Sequence, residues 1–424
     1  MRNAVRGLLI AGAVLGLVGS SAAQDWCTSQ LELANQYLGP LVKPIGEPTT
    51  SAQAVGMMVV TLKLGESPCF MSGGEIEVGS GIAPDPNTIF ELASMTKVFT
   101  TAILAMHWWD GLDVTASVND YLPPGFALTP HEQPVTFQQL ATFTGGFWWS
   151  DPPNYNKNEV YGQEKFVDAV NHLHPAGGPS EVKGNPAGPI PGLPGKTYLP
   201  TYNFYSNSSV GFLGQILMNM DGKGVHELGF SNWMSEKITG PLGMSHTTVE
   251  PAGTWATGYK FVPGPKKNDD GTYKPEKEPF PFVPWAAAGG LRSNANDMAI
   301  FLRASICAHH MDDPNCADLP RDILRALGTA QLPESYLPSG SLADPTIYIN
   351  GGPRLEQGFA WNVLTPPTPN PKGITTIIEK GGAHPGFGSW IGFDPSTSYG
   401  LVILVNTKNI GIPAPGRSII LNTP

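Results

Sequence analysis

The sequence contains few charged residues, and acidic side chains outnumber basic ones. Charged residues make up 14% of the 424 positions, and the formal net charge at pH 7 is −10, whereas an average soluble protein has about 25% charged residues. A negatively charged protein does not attract nucleic acids or anionic membranes, so we predict neither as a partner. Because 41% of the residues are hydrophobic, the low charge does not indicate disorder, and we expect a folded domain.

The sequence has no apolar run of the roughly 20 residues that a membrane-spanning helix needs. A shorter run, residues 7–19, follows Arg6 and precedes the small residues Ser21-Ala22-Ala23. A basic start, a short apolar run and small residues are typical of a signal peptide. We therefore predict a signal peptide at residues 1–23, export of the mature chain 24–424 to the periplasm or the medium, and no integral membrane segment after cleavage.

Two patterns of common hydrolases are missing. The Gly-x-Ser-x-Gly turn of lipase-type enzymes does not occur in the sequence, and neither does the His-Glu-x-x-His pattern of zinc peptidases. These absences exclude the commonest alternative serine-hydrolase architecture and the zinc-peptidase helix. Any hydrolytic chemistry in this chain must use another arrangement of residues.

Cysteine is scarce, but the number is even: Cys27, Cys69, Cys307 and Cys316. An even number of cysteines in an exported chain is typical of disulfides. We expect Cys307 and Cys316, with eight residues between them, to form one pair, which leaves Cys27 and Cys69 for the other. The alternative is a metal site, because His309 and His310 lie inside the shorter segment. Zinc sites favour Cys-x-x-Cys or His-x-x-x-His spacings, which are absent, so we predict disulfides and no metal.

The sequence is rich in loop-forming residues, with 50 glycines and 42 prolines, but regular patterns remain between them. Apolar and β-branched runs predict strands at 54–64, 388–394 and 401–406. Apolar residues at helical spacing predict helices at 94–109, 207–220, 225–238 and 293–308. Proline-rich composition predicts loops at 174–200 and 262–284. Strands at both ends and helices between them indicate an α+β fold, in which both termini contribute to one sheet around an inserted helical lobe.

A serine and a lysine at the start of the first helix are candidate catalytic residues. Ser94 and Lys97 are three residues apart, which places them on the same helix face. Amide groups at the start of a helix can polarise a carbonyl oxygen, and Lys97 can serve as the base for Ser94 if burial keeps its amine neutral. The same spacing recurs at Ser180 and Lys183 in a loop-like segment, and we interpret that copy as chance.

Two further motifs are weak when each is considered alone. Tyr205-Ser206-Asn207 begins a predicted helix, but Asn207 could simply cap that helix, and a second Tyr-x-Asn occurs at 348–350. Lys380-Gly381-Gly382 precedes a predicted strand, and the alternative is an exposed lysine in a turn. The combination is more specific than any single motif. A serine-lysine pair on an early helix, a Tyr-x-Asn at the start of a later helix and a Lys-x-Gly before a strand near the end occur in that order.

That order resembles the class C β-lactamases and the related penicillin-binding carboxypeptidases and esterases. The resemblance extends over most of the mature chain, through the stretches 89–101, 140–146, 204–214, 288–293, 380–395 and 400–406. It implies a serine β-lactamase/transpeptidase fold, an antiparallel sheet with flanking helices and an inserted, mainly helical lobe. The sheet lobe would comprise residues from about 24–112 and 285–424, and the helical, loop-rich lobe residues from about 113–284. The active site would lie between the lobes.

The resemblance also implies roles for individual residues. Ser94 would be the nucleophile, and Lys97 and Tyr205 would share its proton and pass it to the leaving group. Asn207 would orient the Lys97 side chain and the substrate amide. The substrate would be a small molecule or a peptidoglycan peptide, and the mechanism needs no metal or organic cofactor.

The strand motif would bind the substrate. Lys380 would attract a substrate carboxylate, and the glycines Gly381 and Gly382 would let a ligand lie against the strand. The backbone N–H groups of Ala383 and Ser94 would form the oxyanion hole. The family usually has threonine or serine where this chain has Gly381, and that difference weakens the expected recognition of a carboxylate.

Three functions are consistent with these residues. The first is hydrolysis of a β-lactam or a D-Ala-D-Ala-type amide through an acyl-enzyme. The second is hydrolysis of small acyl esters with weak β-lactamase activity, for which Trp148 and Trp149 would form an apolar wall where β-lactamases normally have a glutamine. The third is a non-catalytic penicillin-binding protein, which the presence of all four motif side chains disfavours.

Overall fold

The computed structural model describes residues 10–12, 21–47, 53–122, 127–129, 134–145, 147, 205–223, 227–262, 272–276, 286–336, 354–366 and 372–423. The helices are α1 (Ser21–Tyr37), α2 (Thr96–Trp109), α3 (Phe137–Ala141), α4 (Asn207–Met220), α5 (Glu227–Met234), α6 (Ala286–Gly289), α7 (Ala295–Cys307), α8 (Arg321–Ala330) and α9 (Pro413–Asn422). The strands are β1 (Ile10–Gly12), β2 (Gly56–Lys63), β3 (Cys69–Gly74), β4 (Phe90–Glu91), β5 (Tyr259–Val262), β6 (Thr272–Pro275), β7 (Arg292–Ser293), β8 (Ser335–Tyr336), β9 (Arg354–Gln357), β10 (Asn362–Thr365), β11 (Ile377–His384), β12 (Phe387–Asp394) and β13 (Tyr399–Val405).

Nine of these strands form one antiparallel sheet in the order β1-β3-β2-β13-β12-β11-β10-β9-β8. The strand β2 from the N-terminal part pairs with β13 from the C-terminal part, with Val59 opposite Ile403. The helices α2 to α8 lie between these strands in the sequence. The predicted α+β fold, with a sheet assembled from both ends of the chain, is therefore confirmed.

Helices cover both faces of this sheet, which explains why its central strands are buried throughout. Successive residues of a strand point to opposite faces, and in β12 Trp390 packs with α1 and α9 while Ile391 packs with α2 and α7. On the second face, the rings of Phe99 in α2 and Phe301 in α7 stack with centroids 3.9 Å apart. This packing holds the start of α2 against the sheet.

The predicted helices agree with the structure closely. The helix α4 has the predicted bounds, and α2 follows a single 3₁₀ turn, Ala93–Met95. The alternative in which Asn207 caps α4 is wrong, because Ser206 is the N-cap and its hydroxyl accepts from the N–H of Ser209 at 3.0 Å. That arrangement leaves the Asn207 side chain available for another partner.

One predicted loop is partly wrong. Within the segment 262–284, Thr272–Pro275 forms β6, which pairs with β5 in a two-stranded sheet. Tyr273 stabilises this hairpin, because its ring contacts Phe261 with centroids 5.5 Å apart and its hydroxyl donates to the Gln53 carbonyl at 2.6 Å. The proline and charged residues around Tyr273 concealed the strand. The other predicted loop, 174–200, lies outside the described residues.

Two disulfides close as predicted from the cysteine spacing. Cys27–Cys69 joins α1 to β3, and Cys307–Cys316 joins the end of α7 to the following turn. Near the second bond, the ring nitrogen Nε2 of His309 lies 2.8 Å from Gln331 Oε1. The alternative of a metal site needed free thiolates at Cys307 and Cys316, and these two cysteines are bonded to each other instead.

The predicted signal peptide and the boundaries between the lobes remain predictions. In the described segments, no helix has both the length and the apolar character that crossing a membrane requires. Within residues 1–23, the short strand β1 pairs with the outer edge of β3.

The contact between α4 and α6 provides a test of the packing. A Cβ added at Gly214 would lie 2.1 Å from the Cβ of Ala287. We expect Gly214→Ala to lower the free energy of unfolding by about 1–3 kcal/mol, the usual range for overpacking. Adding Ala287→Gly should restore most of that loss, since the next nearest atom to the new Cβ, Cγ2 of Thr100, would be 3.5 Å away.

Urea unfolding of both single variants and of the double variant measures this coupling. A double variant no more stable than Gly214→Ala would contradict the packing. The test bears on the active site as well, because the residue after Ala287 contributes a carbonyl group to it.

Candidate active site

The segment that leads into Ser94 is held in an unusual backbone conformation. Ala93 has φ of +51°, a left-handed conformation that residues with a Cβ rarely adopt. On the preceding residue, the Leu92 N–H donates to the Leu291 carbonyl at 2.9 Å, and the Leu92 carbonyl accepts from the Ser389 hydroxyl at 2.6 Å. Such conformations persist where surrounding contacts fix them, and they cluster at functional sites. Here the result is a half-buried Ser94 at the start of the helical segment.

Lys97 lies one turn after Ser94 and is fully buried. Its Nζ lies 3.1 Å from Ser94 Oγ, 2.7 Å from Asn207 Oδ1 and 2.5 Å from the carbonyl oxygen of Ala288. Burial, and secondarily the nearby positive charge of Lys380, lowers the pKa of Lys97 well below its usual range. No carboxylate is among these contacts to hold the amine in its charged form.

Tyr205 is the second side chain that contacts Ser94. Its hydroxyl donates to Ser94 Oγ at 2.6 Å. The Nζ atoms of Lys97 and Lys380 lie 5.1 Å and 4.8 Å from the centre of its ring. Burial raises the pKa of Tyr205 above its usual range, and the hydrogen bond to Ser94 opposes that shift only in part. The phenol therefore keeps its proton at neutral pH.

The strand β11 carries the remaining predicted site residues, and half of it has an open edge. Its pairing with β12 runs from Ile378 to His384, whereas its pairing with β10 extends only from Ile377 to Glu379. Beyond Glu379, the described strands provide no neighbour on that side, so residues 380–384 lie along an open edge near Ser94. Ala383 is exposed there.

The two glycines of this strand have different roles. A Cβ added at Gly382 would lie 2.3 Å from the Leu92 carbonyl oxygen and 3.0 Å from the backbone nitrogen of Ser94. Gly382 therefore permits a close approach between β11 and the serine segment. A Cβ added at Gly381 would meet no atom closer than 3.8 Å. We expected both glycines to make room for a ligand. Gly382 instead makes room for the protein's own backbone.

Lys380 is buried rather than exposed in a turn, with a relative accessible surface of 3%. Its Nζ lies 4.8 Å and 5.5 Å from the ring centres of Tyr205 and Phe143, within the range of cation–π attraction. Burial lowers the pKa of Lys380 to about 7, against the opposing effect of the neighbouring Glu379 carboxylate. Lys380 is therefore a cation near neutrality that loses its charge in mildly alkaline solution.

The predicted side chains Ser94, Lys97, Tyr205, Asn207 and Lys380 thus come together, with Gly382 beside them. Sequence reasoning missed the Ala288 carbonyl, the Phe143 ring and the Ser389 hydroxyl. Each lies in a stretch that resembles the family, but only the folded backbone identifies the atom that makes contact. Trp148 and Trp149, the second Ser-x-x-Lys at 180–183 and the second Tyr-x-Asn at 348–350 lie outside the described residues.

The arrangement has the parts needed for nucleophilic catalysis. A hydroxyl lies within hydrogen-bond distance of a buried amine whose pKa is lowered and of a phenol whose pKa is raised. Such a pair can remove a proton from the hydroxyl and return it to a leaving group. The open edge of β11 provides a surface along which an extended substrate can lie.

Solved structures with a similar fold include a β-lactamase/D-alanine carboxypeptidase from Pseudomonas syringae. Its TM-score is 0.63 at 19% identity, with 95% of this chain and all 100% of that chain covered. A class C β-lactamase from Rhodobacter sphaeroides has a TM-score of 0.60 at 21% identity, with 95% of this chain and 97% of that chain covered. These similarities identify the fold as the one predicted, the serine β-lactamase/transpeptidase fold.

Proteins similar in sequence and a matching family model are consistent with this fold. A β-lactamase of Yersinia enterocolitica is 24% identical over 403 residues, which cover 91% of this chain and 90% of that protein. The D-alanyl-D-alanine-carboxypeptidase/endopeptidase AmpH of Escherichia coli is 28% identical over 204 residues, 47% of this chain and 46% of that protein. The Beta-lactamase family model matches residues 41–415. The chain therefore belongs to the Beta-lactamase family and is a serine hydrolase.

Proposed function

We propose that this protein hydrolyses a β-lactam or a D-Ala-D-Ala-type amide through an acyl-enzyme on Ser94, with Lys97 as the base. The observation that carries the proposal is the set of neighbours around the Lys97 amine. Asn207 Oδ1 at 2.7 Å and the Ala288 carbonyl oxygen at 2.5 Å are both acceptors. A neutral amine has two N–H bonds and one lone pair. The two acceptors take the N–H bonds, and the lone pair is left for the Ser94 hydroxyl at 3.1 Å.

Acylation begins with the transfer of the Ser94 proton to Lys97. The lowered pKa of Lys97 supports this step, because a buried amine that is already neutral can accept a proton. As the proton leaves, Ser94 Oγ forms a bond to the substrate carbonyl carbon. The negative charge on the carbonyl oxygen is then stabilised by the backbone N–H groups of Ser94 and Ala383.

Tyr205 completes acylation by protonating the leaving group. Its hydroxyl lies 2.6 Å from Ser94 Oγ, and its raised pKa keeps the proton available. The proton passes from Tyr205 to the departing nitrogen while Lys97 returns one to Tyr205, and the C–N bond breaks. Water then attacks the ester, with the same groups working in reverse order, and releases Ser94.

The substrate class follows from the charge beside the nucleophile. β-Lactams and D-Ala-D-Ala peptides carry a carboxylate near the scissile amide, and Lys380 offers a positive charge at the open edge of β11. The relatives from Yersinia enterocolitica and Escherichia coli are named for these two activities. A peptidoglycan substrate lies outside the cytoplasmic membrane, so the proposal includes export to the periplasm or the medium, which the two disulfides support.

Gly381 favours a second function, the hydrolysis of small acyl esters. The family's usual hydroxyl at this position is absent, so a substrate carboxylate has one partner fewer. A neutral ester does not need that partner. The second function therefore uses the same Ser94 chemistry, with an oxygen leaving group instead of a nitrogen.

Covalent labelling tests the identity of the nucleophile. A fluorophosphonate probe should add its mass to a peptide containing Ser94, because Ser94 is the hydroxyl that Lys97 activates. Ser94→Ala should abolish the labelling, and Ser180→Ala, which removes the serine of the second Ser-x-x-Lys, should leave it unchanged. Labelling that persists in Ser94→Ala would contradict the proposed mechanism.

Replacing Lys380 separates the two substrate classes. A charge-assisted hydrogen bond to a carboxylate contributes about 1.5–3 kcal/mol, so Lys380→Ala should lower kcat/KM for a chromogenic cephalosporin roughly tenfold or more. The same variant should change kcat/KM for 4-nitrophenyl acetate much less. Lys43→Ala is the matched control, since Lys43 is also buried but pairs with Glu75 at 3.2 Å. This variant should leave the ratio of kcat/KM for the cephalosporin to kcat/KM for the ester unchanged. Equal losses on both substrates would show that Lys380 serves the chemical step or the fold.

The charge of Lys380 also predicts a pH dependence. Since burial lowers its pKa to about 7, the charged form predominates below pH 7 and declines above it. The ratio of kcat/KM for the cephalosporin to that for the neutral ester should therefore fall as the pH rises from 6 to 8.5. Titration of Lys97 or Tyr205 affects both substrates and largely cancels in the ratio. In Lys380→Ala the ratio should not change with pH, and a similar decline in that variant would assign the effect to another group.

A further inference from the structure

Behind Ser94, a buried carboxylate links the serine segment to the end of β11. Glu91, in β4, is 2% exposed. Its Oε2 lies 3.1 Å from Nδ1 of His384, the last residue of β11, and its Oε1 lies 3.4 Å from a guanidinium nitrogen of Arg292. None of these three residues has a role in the chemistry described above.

The ends of this link lie next to the two backbone donors of the proposed oxyanion hole. Glu91 precedes Ser94 by three residues in the sequence, and His384 directly follows Ala383. Lys380, Gly382 and His384 alternate along β11 and share one strand face. Gly382 on that face already approaches the backbone of Ser94. The link and the donors are therefore parts of the same contact between two chain segments.

The Glu91 end of the link is fixed independently of His384. Glu91 pairs with Arg292 between β4 and β7, and the Arg292 guanidinium also donates to the Val249 carbonyl. At the other end, β11 has no neighbour on its open edge among the described strands, and the turn that follows it is held at Gly386, whose carbonyl accepts from the Tyr259 N–H at 3.2 Å. The side chain of His384 is thus placed to limit the movement of β11 against the serine segment.

The protonation of His384 is consistent with such a link. Burial lowers the pKa of His384, and the contact with Glu91 opposes that shift without cancelling it. The imidazole is therefore neutral at neutral pH, and the carboxylate partner selects the tautomer with the proton on Nδ1. In this form His384 donates one directed hydrogen bond to Glu91.

We propose that Glu91 and His384 are positioning residues that set the distance between the backbone N–H groups of Ser94 and Ala383. This inference rests on the proposed function, because it assigns those groups to an oxyanion hole. Donors of this kind must lie about 2.7–3.1 Å from the developing oxyanion, and a misplacement of about 1 Å can lower a rate roughly 100-fold. A link that fixes the spacing acts on the transition state more than on the bound substrate.

Two polar replacements of His384 test the position of its donor. Asparagine places its amide nitrogen close to the position of Nδ1, so His384→Asn should keep the hydrogen bond to Glu91. Glutamine places its amide nitrogen nearer to the position of Nε2, so His384→Gln should lose it. We expect kcat for a chromogenic cephalosporin to fall about 10- to 100-fold in His384→Gln, with KM changed less than threefold. In His384→Asn, kcat should stay within about threefold of the unmodified protein.

A boronic acid provides a second readout. Phenylboronic acid forms a tetrahedral adduct with an active serine, so its affinity depends on the oxyanion donors. Its inhibition constant should rise in His384→Gln by a factor similar to the fall in kcat, and much less in His384→Asn. Thermal unfolding of both variants, together with His309→Leu as a control for a histidine that contacts Gln331 instead, separates positioning from stability.

The outcomes are distinct. Equal kcat values in the asparagine and glutamine variants, or a fall in kcat of similar size in His309→Leu at equal loss of stability, would overturn the inference. Failure of the proposed function has another signature, namely fluorophosphonate labelling that persists in Ser94→Ala. If Ser94 is confirmed as the nucleophile and only His384→Gln loses both turnover and boronate affinity, the positioning role is established.

Discussion

The amine of Lys97 lies in the protein interior, where its charged form has lost the hydration that water would give it. Burial of this kind costs several kcal/mol for an ion without a paired carboxylate, and the resulting neutral amine is what makes a serine hydroxyl usable as a nucleophile. To keep the amine neutral, the structure surrounds it with backbone and amide oxygens instead of a negative charge. Asn207 and the Ala288 carbonyl occupy two of the three directions around Lys97 Nζ, and the third leads to Ser94.

The need to place these oxygens around Lys97 explains how elements far apart in the sequence pack together. The Ala288 carbonyl reaches Lys97 because α6 packs against α4 without a side chain at Gly214, where a Cβ would lie 2.1 Å from that of Ala287. In the same way, Gly382 lets β11 approach the serine segment. Two glycines at contacts between elements thus bring a helix and a strand close to one nucleophile, and neither glycine touches substrate in the proposed mechanism.

Much of this arrangement could be predicted from sequence, because its parts follow local patterns. The periodicity of apolar residues gave the bounds of α4, and the order of three short motifs identified Ser94, Tyr205 and Lys380 as neighbours. Contacts that depend on long-range packing could not be predicted in this way. The Ala288 carbonyl is a backbone atom with no signature of its own, and the aromatic neighbour Phe143 takes a left-handed conformation, with φ of +60°, that no propensity favours.

The two buried lysines show how one physical effect can produce two chemical roles. Desolvation lowers the pKa of both Lys97 and Lys380, and the positive charge of Lys380 lowers the pKa of Lys97 further. The difference between them comes from their neighbours. Lys380 has the Glu379 carboxylate and the faces of two aromatic rings, which favour its charged form, whereas the oxygens that contact Lys97 Nζ, those of Ser94, Asn207 and Ala288, include no carboxylate. Near neutral pH one lysine is therefore a base and the other a marginal cation, so the protein can activate a nucleophile and attract an anion within one small site.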